Sequence, residues 1–260
     1  MTGKVTGIRA AYEASATAWA EGPAAAYEAM ADVLVAAAPR PLAGARVLDL
    51  GAGTGAASRA AVRAGAGWVV GADLAPQMLS VGRGWTTSVA ADASALPFVA
   101  GAFDLVVAAC CLGHLPDPAA ALAQARRLAP ALVASAFRAG WTHPAKAVVD
   151  QVAHTYGFVP PSWYARLKAD LEPAVDDPDK LRALAIAAGY ARAQARVREV
   201  EVGVSTAAEL ARWRLGMAHL APFVATLQPR ARERLRADCE LALASAPALV
   251  VPLVVLAATS

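Results

Sequence analysis

Val47-Leu48-Asp49-Leu50 runs directly into Gly51-Ala52-Gly53-Thr54-Gly55, so an apolar stretch carrying one carboxylate meets three closely spaced glycines. The apolar run suits a buried parallel strand, and glycine lets the backbone turn sharply and approach a ligand with no Cβ in the way. The following stretch, Gly55 to Arg63, has helix-forming composition and stops at Gly65 and Gly67. Strand, tight loop and helix in that order place a ligand at the carboxyl end of a strand.

A dinucleotide-binding loop is the obvious competitor. Its fingerprint asks for glycine or alanine three positions after the second glycine, and Ala56 meets that spacing. Asp49 argues the other way: a carboxylate two residues before the first glycine repels a pyrophosphate and suits a cationic ligand. Gly55 is also not required by the dinucleotide pattern.

Three further segments extend the unit. Trp68 to Asp73 is a second apolar run ending in a carboxylate, and Leu74-Ala75-Pro76-Gln77-Met78-Leu79 starts a helix with proline near its first turn. Ser88 to Phe98 carries Asp92 and Ala93. Phe103 to Ala109 reads as another buried strand, left through Cys110-Cys111-Leu112-Gly113-His114-Leu115-Pro116-Asp117-Pro118 before a helix from Ala119 to Leu128.

In this order the segments resemble the class I S-adenosylmethionine-dependent methyltransferases, in particular the small-molecule branch that includes quinone-biosynthesis enzymes. The resemblance implies an α/β fold with a doubly wound, mostly parallel, seven-stranded Rossmann-like sheet and helical cap insertions. It implies S-adenosyl-L-methionine as cofactor and S-adenosyl-L-homocysteine as product. The loop of Asp49, Gly51, Ala52, Gly53 and Gly55 would pass beneath the methionine part, Asp73 would hold the ribose, and Asp92 and Ala93 the adenine. Leu74, Met78 and Ala109 would line the same site. Two departures stand out: Ala75 sits where a small polar cap is common, a loss of roughly 1 kcal/mol of helix stability, and Pro130-Ala131 replaces a glycine turn.

The resemblance covers about half of 260 residues, long enough for one large domain with helical elaboration. The expected organisation is a single domain, 1–260. Within it lie a helical lid at 1–40, a cofactor core at 41–140, cap elements at 141–190 and 205–245, and a final strand at 246–260. Hydrophobic residues make up 57% of the chain, with much alanine, and Lys4, Lys146, Lys168 and Lys180 are the only lysines among 24 basic residues. The net charge of +3 comes with no dense basic block interleaved with aromatics, and an Asp/Asn-Pro-Pro-aromatic signature is absent after the fourth strand. Nucleic acid is therefore not expected as a partner; a small molecule is.

Cys110, Cys111 and Cys239 are too few and too badly spaced for a disulfide framework or a zinc site, so no metal is expected. The beginning of the chain lacks the apolar core of a signal peptide, which implies a cytoplasmic location. Leu241 to Ala258 is the most apolar stretch, but Ser245, Pro247 and Pro252 break it short of the ~20 residues of a membrane span. A buried final strand with Pro252 at an edge or bulge fits it instead. The composition says nothing about oligomeric state.

For chemistry, His114 is the candidate base or orienting group, since it follows the fourth strand and an imidazole titrates near neutral pH; the alternative is a loop-packing role. Tyr12 and Trp19 read equally as a lid over the cofactor or as anchors of a helix. His143, Trp163 and Tyr164 belong to an aromatic-rich connection expected to cap an apolar, ring-containing substrate, or to form a satellite hydrophobic cluster. Asp179 to Tyr190 reads as a helix and Arg196 to Val204 as a strand near the sheet edge. Thr206 to Leu227 reads as a helix kinked at Pro222, and Pro229 to Ala244 as another. Three activities remain open: methyl transfer to an O, N or C atom of a small, largely apolar metabolite; a pericyclase or cyclase on the same fold; and cofactor binding without catalysis.

Overall fold

The computed structural model describes residues 3–260, with side chains from Gly7 onward; Met1 and Thr2, at the start of the expected 1–40 lid, lie outside the described residues. Two helices, α1 (Gly3–Glu21) and α2 (Ala24–Ala36), lead into an alternating region. It comprises β1 (Arg46–Leu50), α3 (Ala56–Arg63), β2 (Trp68–Asp73), α4 (Pro76–Val81), β3 (Thr87–Ala90), β4 (Leu105–Ala108), α5 (Pro118–Leu128) and β5 (Ala131–Phe137). Beyond it come α6 (Pro144–Thr155), α7 (Ser162–Arg166), α8 (Pro178–Ala187), β6 (Arg192–Glu201), α9 (Ala207–Leu215), α10 (Ala221–Thr226), α11 (Pro229–Ala242) and β7 (Val250–Thr259).

The strands form one seven-stranded sheet in the order β3-β2-β1-β4-β5-β7-β6. The first five are parallel, and β7 runs antiparallel to both β5 and β6. Alternation along each strand feeds two cores. Val47, Val69, Val107, Val133 and Val255 face α2, α3, α6, α9 and α11; Leu48, Val70, Val106, Leu132 and Val254 face α5 and α8. Helices on both faces and near-continuous apolar strands are what a parallel sheet requires.

Helix starts are chemically explicit. Asp117 accepts from the Ala120 N–H ahead of Pro118, and Asp177 from the Asp179 N–H ahead of Pro178. Thr206 and Glu209 form a reciprocal capping box on α9. At α4 the uncapped Ala75 is compensated by a carboxylate two residues earlier, because Asp73 Oδ1 accepts from the Ala75 N–H at 2.8 Å.

Three boundaries differ from expectation. The edge strand β6 begins at Arg192, four residues before Arg196, because its full length is recruited by the long β7 ladder. The helix expected to kink at Pro222 is two helices broken at 216–220; Pro222 lies in the first turn of α10, where its missing N–H costs nothing. A Cβ at Gly216 would meet Pro23 and the Ala18 carbonyl, so the chain parts where another helix crosses it closely. Pro252 is in an interior strand rather than an edge strand. Its carbonyl accepts from Arg138 just past the end of β5, so its nitrogen faces the side where that partner runs out and the β6 ladder is intact. The apolar stretch ending at Ala258 is divided between α11, a turn and β7, and no helix among the described residues is long and apolar enough to cross a membrane.

Candidate functional site

The parallel strands reverse order between β1 and β4, and at their carboxyl ends lies a cavity of about 1210 Å³ including its mouth. Crevices at such switch points are where open α/β sheets take ligands. The floor is the loop after β1. Gly51 and Gly53 have φ of 71° and 53°, and a Cβ on Gly51 would overlap that of Cys111. Glycine therefore lets the β1 and β4 loops touch while leaving the cavity side open.

Asp49 is buried at the end of β1, and its Oδ2 accepts from the Ser58 hydroxyl at 2.6 Å. Its Oδ1 is buried with no partner among the described residues. Burial pushes the carboxyl up to about 6, against a partial opposing effect of the Ser58 bond. A carboxylate left half-satisfied beside a cavity is a site that an external cation or hydrogen-bond donor would complete.

Asp73 closes β2 and holds two loops at once: Oδ2 accepts from the Gly53 N–H at 2.8 Å and Oδ1 from Ala75. Burial raises its pKa too, opposed by those backbone N–H groups. Asp92 accepts at Oδ1 from the Ser94 N–H and hydroxyl, which leaves Oδ2 uncommitted; the Ala93 N–H has no acceptor among the described residues.

The cavity gathers most residues expected from the sequence. Asp49, Gly51, Ala52 and Gly53 line it from β1, Asp73, Leu74 and Met78 from β2 and α4, and Asp92, Ala93 and Ala109 from the next two loops. Tyr12 and Trp19 of α1 also border it. Gly55 does not. It takes φ of 89° as the residue preceding α3, and a Cβ there would collide with the Arg83 carbonyl, so its constraint is helix entry rather than cavity lining. Sequence reasoning missed Arg59, whose guanidinium donates to the Thr54 and Arg83 carbonyls at 2.8 and 2.9 Å while pairing with Glu28. It braces the loop from behind, and only tertiary contact reveals it.

A second, inner chamber of about 640 Å³ including its mouths shares Tyr12, Tyr27 and His114 with the first. Tyr12 and His114 meet at the common wall, hydroxyl to Nε2 at 2.9 Å. Burial raises the Tyr12 phenol above its ordinary range and lowers the His114 imidazole, so both are neutral at pH 7. His114 Nδ1 is buried without a partner among the described residues.

Trp163 and Tyr164 line the inner chamber, and Tyr164 stacks on His219 with ring centroids 3.9 Å apart. His143 lines neither chamber: its Nδ1 accepts from the Ala145 N–H at 3.2 Å, capping α6, so its place in the sequence reflects helix initiation. The chamber is also more charged than an aromatic-rich connection suggests, for Lys146, Lys168, Glu172 and Arg214 all face it. Cys110 is held at φ of 52° by bonds to Ser135, its thiol raised to about 11 by burial, and all three cysteines are free. No metal-ligating cluster occurs among the described residues.

Residues 48–130 match the methyltransferase domain family. An 84-residue stretch is 43% identical to demethylmenaquinone methyltransferase of Clavibacter sepedonicus, covering 30% of this chain and 34% of that protein, so the match spans about a third of the relative's length. Among solved structures, phosphoethanolamine N-methyltransferase 2 of Haemonchus contortus, in complex with phosphomonomethylethanolamine and S-adenosylhomocysteine, aligns with TM-score 0.53 at 17% identity. That alignment covers 88% of this chain and 51% of the other. The 4+2 cyclase SpnF aligns with TM-score 0.54 at 18% identity, covering 89% and 80%. These structural likenesses speak to fold. Residues 48–130 thus carry a methyltransferase-domain match, set within the seven-stranded sheet order and beside the glycine loop described above.

Proposed function

We propose that this protein transfers the methyl group of S-adenosylmethionine to an O, N or C atom of a small molecule, with S-adenosylhomocysteine as product. The observation that carries the reading is the pair of chambers meeting at Tyr12 and His114: one is built around a half-satisfied Asp49 and a glycine loop, the other is walled by aromatics.

The residues present fit the cofactor. Asp49 Oδ1 lacks a donor, Asp73 lies at a strand end with lone pairs left on both oxygens, and Asp92 Oδ2 and the Ala93 N–H form an adjacent acceptor and donor. When bound, the cofactor supplies an electrophilic methyl carbon on a sulfonium. That methyl would go to an electron pair of the acceptor, and the Tyr12–His114 pair, hydroxyl to Nε2 at 2.9 Å, would take the acceptor proton where there is one. Holding the reactants in line provides most of the acceleration, so no strongly basic group is needed. His114 is unprotonated at pH 7 and so able to take the proton, with Tyr12 fixing its ring.

Isothermal titration with S-adenosylmethionine, S-adenosylhomocysteine and NAD tests the cofactor. The two sulfur nucleosides saturate and NAD does not, and Asp73→Ala weakens them at least tenfold, the scale of losing hydrogen bonds to a charged group. Equal affinity in Asp73→Ala contradicts the site. His114→Ala lowers turnover with little change in cofactor affinity; full turnover returns His114 to a packing role. Tight cofactor binding without transfer to any acceptor favours a cyclase or a non-catalytic binder.

A further inference from the structure

Among the described residues the inner chamber holds three cations, Lys146, Lys168 and Arg214, and two of them are paired with carboxylates. Arg214, buried on α9, donates to both oxygens of Asp150 at 2.9 and 2.6 Å and lies 3.4 Å from the Tyr164 hydroxyl. Lys168 donates to both oxygens of Glu172 at 2.7 and 2.8 Å. Each of these cations has its own carboxylate. Lys146, in the first turn of α6, has none among the described residues. Its Nζ sits 3.5 Å from the centroid of the Trp141 ring and donates only to the Trp141 carbonyl at 3.3 Å.

An ammonium that is mostly removed from water, beside two other cations and with no carboxylate within ion-pair distance among the described residues, is destabilised. Burial pushes its pKa down to about 7, and the Lys168 and Arg214 charges push the same way, against the smaller opposing effect of the Glu172 and Asp150 carboxylates. The walls around it are flat: Phe137 and Trp141 stack with centroids 5.4 Å apart at 14°, and Tyr164 stacks on His219. Such walls suit a planar occupant.

We propose that the inner chamber binds a planar, ring-containing acid, its carboxylate paired with Lys146 and its methyl-accepting atom directed at the Tyr12–His114 wall. This rests on the methyl-transfer reading only for the fate of the acceptor; the recognition of the carboxylate does not. It replaces the expected largely apolar substrate with an anionic one.

The test uses two matched pairs of probes, salicylate with salicylamide and 4-hydroxyphenylacetate with 4-hydroxyphenylacetamide, titrated calorimetrically into the full chain at pH 6.5 with and without S-adenosylhomocysteine. At least one acid binds, tenfold or more tighter than its amide. Lys146→Met abolishes that preference while leaving S-adenosylhomocysteine affinity within twofold, and Lys146→Arg retains a preference. Equal binding of acid and amide, survival of the preference in Lys146→Met, or no binding by either acid at millimolar concentration overturns the proposal. Failure of S-adenosylhomocysteine to bind strikes the methyl-transfer reading instead, since the acid preference is still measured on the protein alone. A folded Lys146→Met, checked by circular dichroism, guards against misreading a collapsed chamber.

Discussion

Asp49 shows how a buried carboxylate beside a cavity can be a structural burden. Its folded pKa of about 6 lies above the ordinary 3.8, so between these values the folded chain binds more protons than the unfolded one. Stability therefore falls as pH rises through that window, and at pH 7 the ionised carboxylate costs roughly 3 kcal/mol relative to a neutral group. Asp49→Asn keeps an oxygen for Ser58 and removes the charge. It is expected to raise the thermal midpoint of the ligand-free protein at pH 7, to change it little at pH 4, and to weaken S-adenosylmethionine binding. A thermal midpoint at pH 7 equal to or below that of the parent would show that Asp49 is already neutral or better solvated than its burial indicates. Asp49, Asp73 and Asp92 were legible because each ends or follows an apolar run, a pattern local in sequence. Lys146 was not. Its significance depends on which cations find carboxylates, and those partners lie on helices far apart in the chain. His143 misled for the converse reason: a histidine before proline in an aromatic segment looks the same whether it meets a ligand or caps a helix.

At the scale of elements, the loops after β1 and β4 act as one unit. Gly51 faces the Cys111 side chain with no room for a Cβ, and its φ of 71° is unfavourable for any other residue. Gly51→Ala is expected to destabilise the fold by about 2 kcal/mol or more, combining overlap and backbone strain. Cys111→Ala does not rescue it, because alanine retains the offending Cβ, whereas Cys111→Gly recovers part of the loss; chemical denaturation of the double variants separates the two. Equal rescue by both would place the conflict at the thiol. The strands and helices of this region were readable because apolar runs and glycine stops are strong local signals. Boundaries set by neighbours were not: the break at 216–220 answers to α1 and Pro23, and the early start of β6 to the length of β7. An edge or a bulge is expected for Pro252 because proline is usually excluded from regular interior strands, a rule that yields where one neighbour ends first.

Over the whole molecule, α1 joins the two chambers without belonging to the sheet. Trp19 packs with Met78 and Ala75 of the α4 region and stacks obliquely on Tyr27 at 4.9 Å, while Tyr12 reaches His114 across 102 residues of sequence. A ligand filling the outer cavity would thus touch the sheet, α4 and α1 together. α11 is placed differently, with Leu235 and Cys239 in the core cluster on one face of the sheet and no residue in either chamber. Saturation with S-adenosylhomocysteine at a hundred times its dissociation constant stabilises the fold by about 2.7 kcal/mol, but the local effect should be uneven. Amide exchange measured by mass spectrometry should slow most in peptides from 7–21 and 49–57, and no more in 229–242 than global stabilisation requires. This pattern follows from α1 lying outside the sheet and packing against α4, α10, α2 and α7 beside the cavity, where a bound ligand adds contacts that a helix off the sheet otherwise lacks. Uniform slowing across α1 and α11 would mean that α1 is already anchored as firmly as the core, and Tyr12 and Trp19 would then be anchors rather than a lid.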